Sequence, residues 1–305
     1  MSSHFTGHVR LSRVWMVGTV AVTVAAVLVA AGSAAGAGRL APRTKAPLAS
    51  LVPANIRAMG TITVPSSIEF PPFEYFVPGT TNATGLDVDI MNAIGNELGL
   101  KFQFVNFKFE SIIPSLENGR FVIAMSSMSD TSPREKQVGF VDYFVDGEQI
   151  MVKAGNPEKI TTYDELSGKS VALCVGDTDL TVEAQVNKRL AAAGRPLIKG
   201  IVLPGTPQDL LAIDSGRAVA TIIDAASGAY DVKTTGKYEM VGPIIDTGPY
   251  GIDFPKGAKQ FEKAAQAALR ALKADGTYQK ILAKWGESAG AIKSFTINGA
   301  AAYGQ

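Results

Sequence analysis

The stretch "SSMSDTSPREKQVGF", residues 126–140, carries the clearest signal for the fold. It overlaps the apolar run "VIAMS" (122–126), which predicts a strand. Within it, "SPRE" (132–135) matches the capping-box pattern S-x-x-E with proline at the first helical position, so a helix is predicted to begin at Ser132. A strand that leads through serines into a helix places hydroxyl and amide donors at the carboxyl end of a sheet. Such donors favour an anionic ligand.

Arg134 lies just inside that predicted helix. Its guanidinium has a two-pronged donor geometry that matches a carboxylate. The local sequence leaves two interpretations open. The arginine either binds a carboxylate ligand or pairs on the surface with Glu135 or another nearby acid.

Strand and helix patterns alternate along the rest of the chain. In "DVDIMNAIGNELGL" (87–100), Ile90, Ile94 and Leu98 share one helical face and Gly99 ends the helix. The alternation restarts after residue 148. It predicts an α/β fold with a parallel-rich sheet and helices on both faces. Further strands are predicted at "TITV" (61–64), "FQFV" (102–105), "GEQIMV" (147–152), "SVALCVG" (170–176), "IVLP" (201–204), "AVATIID" (218–224) and "YGIDF" (250–254), and further helices near 178–193, 207–215, 259–276 and 277–286.

The amino-acid composition excludes several classes of function. The 305 residues are 46% hydrophobic and 19% charged with a net charge of +1, so a packed core is expected and nothing favours nucleic-acid binding. The single cysteine, Cys174, is expected to be buried in the core. The only histidines are His4 and His8. A chain without its first residues therefore has no histidine for nucleophilic catalysis or metal binding, and no metal or cofactor is expected.

The first 37 residues have the layout of a secretory signal. Arg10 and Arg13 precede an uncharged run of 18 residues (14–31), and Ala35 and Ala37 fit a cleavage site. The run is also long enough to span a bilayer, so an uncleaved anchor stays an alternative. Either way, the rest of the chain is predicted to lie outside the cytoplasmic membrane. Residues 38–54, rich in proline, alanine and basic residues, are predicted to be a linker.

Seven blocks of sequence together resemble the polar-amino-acid-binding proteins of ABC transporters, solute-binding protein family 3. They occur in the family's order over roughly residues 60–288, and the combination is specific although each block alone is not. The blocks are "EFPPFEY", "GLDVDIMNAIGNELGL", "FESIIPSLENGRFVIAMSSMSDTSPREKQVGFVDYF", "LSGKSVALCVGDT", "LLAIDSGRAVATIIDA", "YGIDFPKG" and "LKADGTYQKILAKWG".

The resemblance implies a two-lobed, periplasmic-binding-protein-like fold of type II, with two crossing hinge strands and a ligand between the lobes. Lobe 1 would comprise residues 55–148 and 249–290, lobe 2 residues 149–248, and residues 291–305 a C-terminal tail. Closure around the ligand would be a hinge motion.

The resemblance also implies roles for residues of the cleft. Arg134 would hold the α-carboxylate of an amino acid, with contacts from Ser127 and Ser129. The amide of Thr178, at the start of a helix, would reach the same carboxylate. Asp224, at a strand end, would bind the α-ammonium group. The alternatives are that Thr178 is a plain helix cap and Asp224 an ordinary turn residue.

Phe70 and Phe109 match two aromatic walls around the ligand side chain, although both could simply belong to the core. Phe73 is expected in the core. Ser67 stands where many members have an aspartate that holds a cationic group, which puts a cationic ligand in doubt. Glu69 lies nearby, but strand alternation is expected to turn it to the face opposite Phe70.

The implied function is that of a monomeric receptor, outside the cytoplasmic membrane, which passes an amino acid to an ABC-transporter permease. Two alternatives remain: an enzyme on the same scaffold, similar to cyclohexadienyl dehydratase, and a sensor ectodomain. Without a histidine, an enzyme would need a carboxylate such as Glu69, Glu110 or Asp177 as acid or base. A sensor would need a signalling partner.

Overall fold

The computed structural model describes residues 46–305, so the predicted leader (1–37) and the first part of the predicted linker lie outside the described residues. The strands are β1 Thr61–Ser66, β2 Glu69–Phe70, β3 Glu74–Phe76, β4 Ala83–Thr84, β5 Lys101–Asn106, β6 Val138–Lys153, β7 Ser170–Cys174, β8 Lys199–Leu203, β9 Ala220–Asp224 and β10 Tyr238–Pro255. The helices are α1 Ala54–Arg57, α2 Leu86–Leu98, α3 Ile112–Glu117, α4 Ser132–Glu135, α5 Asp179–Ala192, α6 Thr206–Asp214, α7 Ala225–Thr235, α8 Lys259–Ala274 and α9 Thr277–Trp285.

The largest sheet has five strands in the order β10-β6-β9-β7-β8. Strand β7 is parallel to β8 and β9, whereas β6 is antiparallel to both β9 and β10. Strands β1 and β5 form a separate parallel pair, and β2, β3 and β4 form a small antiparallel sheet. The predicted parallel-rich sheet is therefore only partly correct, because the two longest strands pair antiparallel.

Two local predictions around residues 122–135 need correction. "VIAMS" is not a regular strand, since it pairs through a single bridge between Ala124 and Asp253. Helix α4 does begin at Ser132, but its cap is Thr131, whose hydroxyl accepts a hydrogen bond from the Arg134 amide at 3.4 Å. The helix is one turn long, and the cap lies one residue earlier than the S-x-x-E pattern indicates.

Separate hydrophobic cores define the predicted two lobes. The larger core, here the first lobe, contains residues from α2, α8 and α9, including Ile90, Ile94 and Leu269. A second core, here the second lobe, contains residues from β7 and α5, including Leu173 and Val186. The two-lobed α/β fold is confirmed, whereas the exact lobe boundaries remain a prediction.

Strands β6 and β10 cross between the two cores. Strand β6 contributes Tyr143 to the first core and Ile150 to the second. Strand β10 contributes Ile252 to the first and Val241 to the second. Their pairing shifts register between Val241 and Gly248, where the strands pass from one core to the other. These are the two crossing strands that the resemblance implies.

Both flanking segments contact this body. The described part of the predicted linker, residues 46–54, includes a 3-10 helix at Ala49–Leu51 and buried Val52. In the predicted tail 291–305, Ile292 and Phe295 are buried in the first core. No helix among residues 46–305 combines the length and apolar character needed to cross a membrane.

An aromatic contact also joins the two sides of the molecule. The rings of Tyr75 and Tyr230, on β3 and α7, lie 6.2 Å apart, and Tyr75 meets Trp285 edge-on at 6.1 Å. The Trp285 indole N–H donates to Asp89 at 2.8 Å.

The buried hydroxyl of Tyr278 ties the 291–305 segment to β6. It donates to the Tyr143 carbonyl at 2.8 Å and accepts from the Ile292 amide at 3.1 Å. We expect Tyr278→Phe to lower the free energy of unfolding by about 1–3 kcal/mol, because both buried partners are left unsatisfied. Urea denaturation measures the change. Tyr303→Phe is the control, because Tyr303 is exposed and its change should stay within about 0.5 kcal/mol. Equal effects of the two variants would contradict the prediction.

Candidate functional site

A small cavity lies between the two lobes. Its volume is about 30 Å³. Five of the predicted site residues line it: Ser67, Phe70, Phe109, Ser127 and Asp224. The other lining residues are Glu69, Glu74, Ser126, Cys174, Asp177, Gly205 and Thr206. Ser129, Arg134 and Thr178 do not line it.

Arg134 lies beside the cavity and connects its two sides. Its Nη1 donates to the Ser129 carbonyl at 2.8 Å and its Nη2 to the Gly176 carbonyl at 2.8 Å. The guanidinium lies 5.6 Å from the centre of the Phe109 ring and 4.0 Å from the Asp177 carboxylate. Arg134 forms no ion pair with Glu135, and the acid within ion-pair distance of its guanidinium is Asp177. Ser129 therefore contacts Arg134 through its carbonyl rather than facing the cavity with its hydroxyl.

The serine donors on the first-lobe side are already engaged. The Ser127 amide donates to Asp87 at 3.0 Å, and its hydroxyl donates to Glu74 at 3.2 Å. Ser126, which sequence analysis did not single out, donates to Glu74 at 3.0 Å and accepts from the Ser67 amide at 2.9 Å. The predicted contacts of Ser127 to a ligand carboxylate thus compete with two buried acids that the sequence did not reveal as partners.

Those two acids share a buried environment. Both Glu74 and Asp87 are fully buried, and Tyr143 donates to Asp87 at 2.7 Å. Burial, with the charge of Asp87, raises the pKa of Glu74 well above its ordinary value. Burial also raises the pKa of Asp87 to about 6, against the lowering effect of its hydrogen bonds. Glu74 therefore takes up a proton more readily than an ordinary glutamate, because burial and the neighbouring carboxylate both disfavour its charged form.

Asp224 ends β9 and faces the cavity from the second lobe. Its carboxylate makes no capping hydrogen bond to α7, so it is not an ordinary turn residue, and it accepts a hydrogen bond from the Tyr250 hydroxyl. Burial raises the pKa of Asp224 well above its ordinary value, and the nearby carboxylates Glu148 and Asp177 raise it further.

The predicted role of Thr178 needs correction. Its amide donates to Asp177 at 2.7 Å and its hydroxyl to Glu148 at 2.7 Å. The amide therefore does not face the cavity as predicted, because the aspartate that precedes it accepts its hydrogen bond. The residue precedes α5 without a side-chain cap, so it is not a plain helix cap either.

Glu148 is a site residue that sequence analysis missed. It is 2% exposed, and its Oε2 has no hydrogen-bond partner within residues 46–305. One carboxylate oxygen each from Glu148, Asp177 and Asp224 lie within 4.8 Å of one another. Burial and the charge of Asp177 raise the pKa of Glu148 well above its ordinary value. This cluster can accept a cation. The position of Glu148 opposite Asp224 in the β6–β9 pair became visible only with the sheet register.

Glu69 also needs a correction, because it lines the same cavity as Phe70. Strict alternation does not apply here: β2 has only two residues, and the Glu69 amide bonds the Ser67 carbonyl at 2.7 Å in a tight turn. The argument against a cationic ligand therefore loses one of its two supports. The other, serine at position 67, stands.

The remaining predictions concern apolar residues. Phe73 is fully buried in the first core, as expected, and Phe70 stacks on it with ring centres 5.8 Å apart. Phe70 and Phe109 are both partly exposed at the cavity, which fits walls better than core residues. Cys174 is buried as predicted, and burial raises the pKa of its thiol.

Known proteins similar to this chain are binding proteins. The arginine-binding protein ArgT of Corynebacterium glutamicum is 27% identical over 271 residues, covering 88% of each chain. The structure of an ancestral arginine-binding protein bound to arginine matches with 34% identity and a TM-score of 0.67, over 74% of this chain and 98% of that one. An ancestral amino-acid-binding protein, a precursor of cyclohexadienyl dehydratase, matches with 29% identity and a TM-score of 0.68, over 76% of this chain and 97% of that one.

The family itself is identified by a match over most of the chain. The model of the bacterial extracellular solute-binding proteins, family 3, matches residues 62–288. This range agrees with the seven sequence blocks and includes both lobes. The chain therefore belongs to the bacterial extracellular solute-binding proteins, family 3.

Proposed function

We propose that the protein captures an L-amino acid between its two lobes outside the cytoplasmic membrane and delivers it to an ABC importer. The observation that carries this proposal is a cavity flanked by one guanidinium, Arg134, and by the carboxylate of Asp224 on the second lobe. A free amino acid is a zwitterion, and these two groups complement its two charged ends.

Arg134 retains donors for a ligand. A guanidinium has five N–H donors, and the hydrogen bonds to Ser129 and Gly176 use one on each terminal nitrogen. Because these bonds come from opposite sides of the cleft, they hold the guanidinium at its mouth. The remaining donors suit an α-carboxylate, while the Ser129 carbonyl holds the guanidinium in place from the first lobe.

The α-ammonium group belongs at Asp224 in this proposal. Asp177 and Glu148 surround the same point with further carboxylate oxygens, so the cation can be fully enclosed. Phe70 and Phe109 would then flank the ligand side chain. Ser67 completes the cavity next to Phe70 as a neutral residue.

Delivery to a permease follows from the family, and we propose neither a catalytic step nor a signalling role. The related precursor of cyclohexadienyl dehydratase is itself an amino-acid-binding protein. Of the acids considered for catalysis, Glu110 is exposed and does not line the cavity. The anchoring of the chain by residues 1–37 and its monomeric state remain predictions.

Loss of the guanidinium should weaken the hold on the ligand's carboxylate. Thermal-shift measurements with each of the twenty L-amino acids identify the ligand, because binding raises the melting temperature. For that ligand, Arg134→Ala should cost about 2–5 kcal/mol of binding free energy by calorimetry. The amine that corresponds to this ligand without its α-carboxylate should bind the wild-type protein and the Arg134→Ala variant equally weakly.

Arg120→Ala provides the control for that experiment. The Arg120 guanidinium lies 5.0 Å from the Phe107 ring, away from the cavity lining, so its loss should leave affinity unchanged. Unchanged affinity in Arg134→Ala would reject the carboxylate assignment. No binding of any amino acid to the wild-type protein would reject the proposed function.

Amino-acid binding should release protons. Burial and the neighbouring carboxylates Glu148, Asp177 and Asp146 raise the pKa of Asp224, so the ligand-free protein holds protons that a cation displaces. Affinity should therefore rise with pH across the range above the ordinary value of 3.8, and fall as the solution is acidified. Calorimetry in buffers of different ionisation enthalpy measures the release. Asp224→Asn should reduce it. Proton uptake by the wild-type protein would contradict this prediction.

A further inference from the structure

The cavity has an excess of acidic side chains. Four carboxylates line it, those of Glu69, Glu74, Asp177 and Asp224, and no lysine or arginine is among its lining residues in the described part of the chain. A neutral zwitterion supplies one cation and brings its own carboxylate. The lining therefore offers more carboxylates than one ammonium group can pair with.

Three of the four carboxylates have partners in the protein. Glu74 accepts hydrogen bonds from Ser126 and Ser127. Asp224 accepts one from Tyr250, and Asp177 accepts one from the Thr178 amide and lies 4.0 Å from Arg134.

Glu69 is the exception. Its carboxylate forms no ion pair and no hydrogen bond with any residue in 46–305, although the side chain is only partly exposed. Burial raises its pKa, and no neighbouring donor offsets this effect. An unpaired carboxylate in a closing cleft is unfavourable unless the ligand supplies its partner.

Gly205 makes room for this carboxylate on the opposite side of the cavity. A Cβ added at Gly205 would lie 2.1 Å from Glu69 Oε1, so the carboxylate rests directly on the glycine backbone. The backbone of Gly205 is extended (φ 179°), a conformation open to any residue. The glycine is therefore needed here for space rather than for backbone freedom.

The aromatic walls add a preference of shape. Phe70 and Phe109 line the same cavity as Glu69. A guanidinium is planar, stacks on aromatic faces and pairs with a carboxylate through two parallel hydrogen bonds. An ammonium group is a compact point charge that lacks the planar match.

We propose that Glu69 is the specificity-determining residue of the cleft and that it selects an amino acid with a guanidinium side chain. This inference rests on the proposed function, because it assigns the side-chain end of the same ligand. Gly205 is a positioning residue that allows the Glu69 carboxylate to reach that end.

The test compares two ligands that differ only in side-chain charge. L-Citrulline has nearly the shape of L-arginine but a neutral ureido group. Wild-type protein should bind L-arginine at least about 30-fold more tightly than L-citrulline, as expected for a desolvated charge pair. Glu69→Gln should reduce this ratio to within about threefold, mainly by weakening arginine binding.

Two further variants test whether the preference for L-arginine depends on the charge and position of Glu69 itself or on the negative charge near the cleft in general. Glu110→Gln removes an acid that lies near the cleft without lining the cavity, and should leave the ratio within about threefold of wild type. Gly205→Ala keeps the charge of Glu69 but displaces its carboxylate, and should lower the ratio without lowering the melting temperature of the ligand-free protein. An equal loss in the Glu110 and Glu69 variants would overturn the assignment to Glu69.

The outcomes distinguish this inference from the proposed function. If L-citrulline or L-glutamine binds the wild-type protein as tightly as L-arginine, the side-chain inference fails while amino-acid capture stands. If L-lysine matches L-arginine, the assignment of a guanidinium is overturned. If no amino acid binds, the proposed function itself has failed.

Discussion

The antiparallel pairing of β6 with β10 is the constraint on which the rest of the structure depends. Each strand contributes side chains to both cores, so the two lobes share one pair of hydrogen-bonded strands. The register shifts between Val241 and Gly248 interrupt that ladder where it leaves one core for the other. A bulge bends the strand that carries it, so the strands can change direction where they pass between the cores. On its other edge β6 pairs with β9, and this second pairing sets Glu148 beside Asp224.

The cleft concentrates acidic side chains, several of which are buried. Burial raises the pKa of several of these carboxyls, because a charged carboxylate loses hydration without gaining a protein cation. The protein partly relieves this cost with hydroxyl donors from Ser126, Tyr143 and Tyr250. A cationic ligand would relieve the rest.

Much of this arrangement was predictable from the sequence, because periodicity and caps act locally. Helix α2 begins and ends as its apolar face and Gly99 indicate, and Asp224 lies at a strand end facing the cavity. The predictions that proved wrong depended on tertiary contacts and on local turns. The amide of Thr178 is taken by its neighbour Asp177, and the chain turns at Ser67, which brings Glu69 into the cavity. Neither strand alternation nor motif matching can predict such turns.

The roles of the buried acidic residues also could not be predicted from the sequence. Glu74 and Asp87 lie 13 residues apart in unremarkable contexts, and only the fold brings them under the same serines. Glu148 is a single acidic residue in an otherwise apolar strand pattern. Its spatial neighbours Thr178 and Asp224 come from distant segments of the sequence. Contacts of this kind depend on strand register and loop path, which single-residue patterns do not encode.

The ring contact between Tyr75 and Tyr230 gives the molecule an optical property. The chain has two tryptophans, Trp15 and Trp285, and Trp285 adjoins the Tyr75 ring that meets Tyr230 from across the cleft. Separation of the lobes would carry Tyr230 away from Tyr75 and expose that group of rings to solvent. In the protein without its leader, tryptophan fluorescence would come from Trp285 alone, so its emission would report a change in this ring contact without an added dye.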